Sequence, residues 1–264
     1  PISGLDPYEE HVLLLEMYNW ECQNLASIAG ELVKDHGAAS VYGAGKENLL
    51  MVKLDVLAKV VNYHLQSDGQ QPLKNTPDGR DVESDPPAGQ GLFNTIPEAP
   101  DKIVVFSGFP SSNQLILDVL DLYGIKCIEI HGKMTLLKRK ENLEMFKRAD
   151  RNGTRVLILS GVGMVGLNIP QANILIIVDT LWSAQEDAQL IGRVWRQPQP
   201  KIVHIYRLVA PRTPDVFLNN ISFDKSVMHR EFINSEEVLS RCSMIQLLRS
   251  EIAEMLARTS FYWP

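Results

Sequence analysis

Between residues 101 and 209, short apolar runs alternate with longer amphipathic stretches. Lys102–Phe106, Lys126–His131, Arg155–Ser160, Ile174–Asp179 and Val203–Val209 each have the length and apolar density of a buried strand. Between them, Ser111–Leu122, Leu136–Arg148 and Ala184–Arg196 read as helices, while Gly163–Gly166 leaves room only for a short helix or turn. Strands that alternate with helices at this spacing predict a parallel sheet with helices on both faces. Ligands of such sheets bind beyond the carboxyl ends of the strands. Those ends are Ser107-Gly108, His131-Gly132, Ser160-Gly161 and Asp179-Thr180.

Upstream, Asp6-Pro7-Tyr8-Glu9-Glu10 has the form of a helix start: a capping acid, proline at the first helical position and acids in the first turn. Val12, Leu15, Tyr18, Leu25, Ile28 and Leu32 predict one or two amphipathic helices to about Val33. A further helix is predicted over Asn48–His64, with Leu50, Val52, Leu54, Leu57, Val60 and Val61 as its apolar set. Residues 66–100 break the pattern. They hold six prolines and four glycines, with Leu73, Leu92, Phe93 and Ile96 as their large apolar residues. So little apolar surface is not expected to offset ordering entropy, which predicts a disordered linker or insertion. Beyond the alternating region, a helical segment is predicted from Thr213 to about Asn234 and an amphipathic helix from Ser235 to about Ala257. The expected organisation is a helical lead-in over 1–65, the linker over 66–100, an α/β lobe over 101–212 and a helical tail over 213–264.

Composition narrows the function classes. With 264 residues, 45% apolar and 22% charged, the chain has ordinary globular proportions and length for one or two domains. No apolar run approaches the roughly 20 residues of a membrane helix, so no membrane partner is expected. Cys22, Cys127 and Cys242 lie far apart and form no CxxC, which argues against a disulfide scaffold or zinc ribbon and fits a reducing compartment. The six histidines form no HxxxH or HExxH pair, so no metal site is predicted. A first residue of Pro1 fits a piece of a longer protein. The net charge is −6, yet residues 132–155 hold eight basic residues against three acids. That local excess suits either a solvated basic face or a nucleic-acid contact.

Two stretches carry candidate chemistry. In Ser160-Gly-Val-Gly-Met-Val-Gly-Leu-Asn168, three glycines allow close backbone approach to a ligand. Gln189, Gly192, Arg193 and Arg196 fall at i, i+3, i+4 and i+7, on one helix face. Two arginines and a glutamine so aligned suit a phosphate chain, since guanidinium binds it bidentately and stays charged. A third stretch, Gly43-Ala44-Gly45-Lys46, does not make a phosphate loop. Ser40 stands where GxxxxGK[ST] needs its first glycine, and Glu47 where it needs Ser or Thr.

The spacing Ser160-x5-Gly166-Leu-Asn168-Ile-Pro170, followed by Gln189-x2-Gly-Arg193-x2-Arg196, resembles motifs V and VI of superfamily 2 helicases. The Gly-Leu-Asn variant and the opening Gln are similar to the Swi/Snf branch of DNA translocases. Lys102-Ile-Val-Val-Phe-Ser107 resembles motif IV, and Ile130-His-Gly132 with its basic helix resembles a segment that contacts nucleic-acid phosphates. Val203-His-Ile-Tyr-Arg-Leu208 resembles the strand closing the lobe, and Lys53-Leu54-x2-Leu57 the helix leading into it.

The resemblance implies the carboxy-terminal RecA-like lobe, a three-layer α/β parallel sheet with helical lead-in and tail. It implies Arg196 as an arginine finger, Arg193 as its partner on the γ-phosphate and Gln189 as a helper, with Gly166 and Asn168 near the nucleotide. It implies backbone contacts to double-stranded DNA from Ser160, Gly132, Lys133 and Ser107. Its other expected partners are the first RecA-like lobe of the same parent chain and chromatin or regulatory proteins, in the nucleus. ATP and Mg2+ would be held mainly by that first lobe, since no phosphate loop or DExx box occurs in these 264 residues. This chain alone is therefore expected to be inactive as an ATPase. The alternative is a degenerate lobe kept as a non-catalytic interaction module. A Rossmann-type enzyme is disfavoured because no GxGxxG opens a helix after a first strand.

Overall fold

The computed structural model describes residues 5–24, 51–77, 81–83, 99–161, 166–179, 184–211, 213 and 215. Its elements in chain order are β1 (Glu9–Leu14), α1 (Met51–Gln66), β2 (Ile103–Ser107), α2 (Ser112–Leu122), β3 (Cys127–Ile130), α3 (Leu136–Arg148), β4 (Val156–Ser160), β5 (Ile174–Ile177), α4 (Ala184–Val194) and β6 (His204–Val209). The strands form one sheet in the order β1-β6-β5-β2-β4-β3, with every pairing parallel.

The continuous apolar strands follow from burial on both faces. Along β2, Ile103 and Val105 point into one core with Leu54 and Leu57 of α1 and Ile116 and Leu120 of α2. Val104 and Phe106 point into the other, with Phe146 of α3 and Leu190 and Ile191 of α4. Helix, sheet and helix therefore make three layers, as the alternation predicts. The most polar helix, α3, buries only Asn142 and Phe146. Thr135 caps it by accepting from Lys138 N–H at 3.3 Å, and Asn142 donates to Glu129 O at 2.8 Å.

Three sequence expectations are corrected. The segment predicted to start a helix at Asp6 is a strand over Glu9–Leu14, and only 19–24 is helical among residues 5–24. Leu13 and Leu15 are buried while Leu14 is 44% exposed, a period of two. Three consecutive leucines fit both periods, and pairing with β6 decides between them. As a result, β1 and α1 belong to the sheet and core of the lobe rather than to a separate helical lead-in.

The segment expected to be disordered is packed over 66–77 and 81–83, while 84–98 lies outside the described residues. Leu73 and Val82 enter the core, and Leu73 N–H donates to Tyr206 Oη at 2.8 Å. Asp68 accepts from Arg155 at 3.1 Å, Arg151 at 2.5 Å and Asp101 N–H at 2.8 Å. Burial pushes the Asp68 carboxyl up, but these hydrogen bonds and the two guanidinium charges outweigh it and hold the group below its ordinary value. Two apolar anchors and an ion cluster do what composition alone did not indicate.

Finally, α4 stops at Val194, so Arg196 lies just past the helix, although Trp195 N–H still bonds Ile191 O at 2.8 Å. The predicted helices near 25–33 and after Thr213, and most of the Gly163–Gly166 turn, lie outside the described residues.

Candidate functional site

The carboxyl ends of the strands assemble a polar floor. Ser107 of β2 lies beside Ser160 of β4 in register, and both are fully buried. Ser107 Oγ donates to Asp179 Oδ2 at 2.5 Å, joining the end of β2 to the residues after β5. Burial raises the Asp179 carboxyl above its ordinary value, more than the Lys53 charge and the Ser107 hydrogen bond lower it. From α1, Lys53 donates to Val178 O at 2.9 Å and pairs with Asp215 at 2.7 Å. Ser160 Oγ is buried with no hydrogen-bond partner among the described residues. Neither serine presents its hydroxyl at the surface, although direct nucleic-acid contacts are expected of both from the sequence.

On the neighbouring strand, β3 ends in the turn His131-Gly132-Lys133. His131 Nδ1 accepts from Lys133 N–H at 3.2 Å, and Gly132 O accepts from Arg139 Nη2 at 2.5 Å. Lys133, Lys138 and Lys140 are exposed here. The basic excess of residues 132–155 is only partly a surface field. Arg139 serves the turn, while Arg151 and Arg155 serve Asp68.

The glycine turn and the arginine helix are brought together. Gly166 has φ +77°, a left-handed conformation that favours glycine, and with Asn168 it is exposed. Leu167 and Ile169 between and beyond them are buried anchors. Ile169 N–H donates to Arg193 O at 2.9 Å, tying the turn to the last turn of α4. On α4, Gln189 is exposed, Arg193 is half-buried and Arg196 beyond the helix is exposed. Arg193 Nε is buried without a hydrogen-bond partner among the described residues. Behind this face, Trp195 donates to Asp6 O at 2.8 Å and packs edge-on against Tyr8.

Sequence reasoning missed what holds α4 in place. Arg207 of β6 is buried and binds Asp187 through both Nη atoms, with Glu10 of β1 on its Nε. A lone arginine inside the apolar run of β6 was the available signal, since an arginine in a buried strand needs a partner.

Residues 92–197 match the helicase conserved C-terminal domain family. The bifunctional helicase and thymine dioxygenase JBP2 of Trypanosoma brucei brucei is 34% identical over 119 residues, 45% of this chain and 11% of that one. The DNA repair protein rhp54 of Schizosaccharomyces pombe is 32% identical over 122 residues, 46% and 14% of the two chains. The DNA repair and recombination protein RAD54 of Saccharomyces cerevisiae is 31% identical over 116 residues, 44% and 13%.

Among solved structures, the SWI2/SNF2 ATPase core of Sulfolobus solfataricus in complex with dsDNA has a TM-score of 0.66 at 15% identity, covering 97% of this chain and 51% of that one. The C-terminal part of the Fun30 ATPase domain has a TM-score of 0.56 at 17% identity, covering 97% and 99%. Residues 92–197 thus form a helicase conserved C-terminal domain, and the chain is similar in sequence to these DNA repair proteins and in fold to the Swi/Snf ATPase cores. This helicase lobe spans 11–14% of the length of those three relatives. The Ile169–Arg193 hydrogen bond joins the two segments whose sequences resemble motifs V and VI.

Proposed function

We propose that this lobe completes the ATP site of a two-lobed DNA translocase and supplies part of its DNA-backbone contact. The observation that carries the reading is the α4 face. Gln189 is exposed on it and Arg196 is exposed just past its end, Arg193 has an uncommitted buried Nε among the described residues, and the Gly166–Ile169 turn is fastened alongside. Such a face suits the terminal phosphate of a nucleotide whose other contacts come from elsewhere. ATP and Mg2+ would be held mainly by the first RecA-like lobe of the parent, where Mg2+ neutralises developing phosphate charge. Arg196 acts as the arginine finger, Arg193 and Gln189 assist it, and Gly166 and Asn168 border the nucleotide. Without that first lobe the chain does not turn over ATP.

Gly132 and Lys133 would meet the backbone of double-stranded DNA without reading bases. Ser107 and Ser160 support the strand ends beneath that contact. In this reading the parent works in the nucleus, in chromatin or DNA repair, with chromatin or regulatory proteins as further partners.

The test is DNA-stimulated ATP turnover of the intact parent with Arg196→Ala. An arginine finger predicts a loss of roughly 10³–10⁵-fold. Unchanged turnover, or a parent that hydrolyses no ATP at all, would leave the lobe as a non-catalytic interaction module.

A further inference from the structure

At the opposite end of the sheet, the amino-terminal ends of β1 and β6 bring together three residues that the sequence keeps apart. Glu9 and His204 are register partners, and His11 follows Glu9 by two positions. In parallel strands this places all three on one face, beside Tyr206 and Leu13. His11 Nε2 lies 3.2 Å from His204 Nδ1 and 3.8 Å from Glu9 Oε2, and His204 Nδ1 lies 3.4 Å from Glu9 Oε2. These three atoms could hold one metal ion.

Triangle geometry decides how well they could. A point equidistant from atoms with those separations lies about 2.0 Å from each. Zn–N and Zn–O bonds are roughly 2.0–2.2 Å, and two ligands of a tetrahedral zinc stand roughly 3.3 Å apart. The three separations therefore lie close to those between zinc ligands. The donors, two imidazoles and a carboxylate, suit zinc and related divalent transition metals rather than calcium or magnesium. His204 is buried and His11 half-buried, whereas Glu9 is exposed, leaving a route for the ion and room for a water as fourth ligand.

Burial lowers His11 to about 4, helped by Lys74, and lowers His204 to about 3, helped by His11 and His64. Asp101 acts weakly the other way on His204. The same atoms make a His11–His204 hydrogen bond with Glu9 alongside.

We propose that Glu9, His11 and His204 form a three-ligand zinc site that clips the edge strand β1 onto β6. None of its three ligands belongs to α4 or its arginine face. The clip would make the grip of the chain's first strand responsive to zinc.

The test uses the full 264-residue chain with Cys22, Cys127 and Cys242 replaced by serine, so that thiolates cannot bind the ion. After chelator treatment, Zn2+ is titrated in competition with a chromophoric chelator, and thermal unfolding is followed with and without the metal. The expected result is one saturable equivalent and a higher Tm with zinc, since a ligand of the native state stabilises it. Glu9→Gln and His11→Gln should each weaken binding at least about tenfold and remove the Tm rise. No saturable equivalent in the parent chain would overturn the site, as would equal affinity in Glu9→Gln. Because Glu9 is exposed, that variant keeps the test decisive even if a histidine variant unfolds.

Discussion

Arg207 closes both ends of its guanidinium on Asp187, at 2.9 and 2.6 Å, and turns its Nε toward Glu10 at 2.7 Å. One side chain on β6 thus fixes the helix that carries the arginine face and the strand at the sheet edge. Arg207 and Asp187 are each 3% exposed, so the pair lies where an unpartnered charge is costly. The face bearing Gln189 and Arg193 is held from behind by this ion pair.

Asp187→Ala should therefore lower the unfolding free energy by about 3–5 kcal/mol, because it removes the carboxylate that both Nη atoms of the buried Arg207 bind. Urea unfolding checks this. A loss under about 1 kcal/mol would show that the guanidinium is satisfied without Asp187.

The two glycines near the phosphate face should respond in opposite ways. A Cβ at Gly192 would meet nothing within 4 Å, so Gly192→Ala should stabilise the chain by about 0.5–1 kcal/mol through helix propensity. In the intact parent the same methyl would stand on the face that approaches phosphate, and ATP turnover should fall. Gly166→Ala should instead destabilise by about 1–2 kcal/mol, since φ +77° strains an L side chain. Thermal unfolding beside ATPase assays separates the two effects.

Lys133 is exposed on the turn after β3. Lys133→Ala should leave stability within about 0.5 kcal/mol. In DNA-binding titrations at several salt concentrations, it should reduce the salt slope by about 1, equally for all sequences. A sequence-dependent loss would contradict a backbone contact.

Acid should weaken the fold through His64. His64 Nε2 lies 2.8 Å from Tyr206 Oη, which also accepts from Leu73 N–H. Burial lowers this imidazole to about 3, with a smaller push from His11. As pH falls below about 6.5 the unfolded chain takes up the proton first, so stability is full above that value and lost toward pH 3. The slope from this group is about 1.4 kcal/mol per pH unit. His64→Gln should remove that share of the slope in urea titrations run across the range.

The three-layer sheet was legible because strands buried on both faces must be apolar throughout, as Ile103–Ser107 and Val156–Ser160 are. The arginine face was legible because it is local, with Gln189, Arg193 and Arg196 all within eight residues of one another. What distance along the chain conceals was not legible. Asp68 sits in a proline-rich stretch and takes its meaning from Arg151 and Arg155. Leu13 and Leu15 show a strand period only once β6 is beside them. Glu9, His11 and His204 make no motif, since their spacing exists only across two paired strands.

The pairing of β1 with β6 also sets a timetable. Glu9 meets His204 across 195 residues of sequence, so β1 leaves the ribosome and stays unpaired until β6 has followed. At roughly 5–20 residues per second that interval lasts about 10–40 s. Through it the leucines at 13, 14 and 15 lack the strand they pair beside, and nascent-chain chaperones have that interval to meet β1. This edge strand is made well before its partner and is among the last elements of the lobe to be folded.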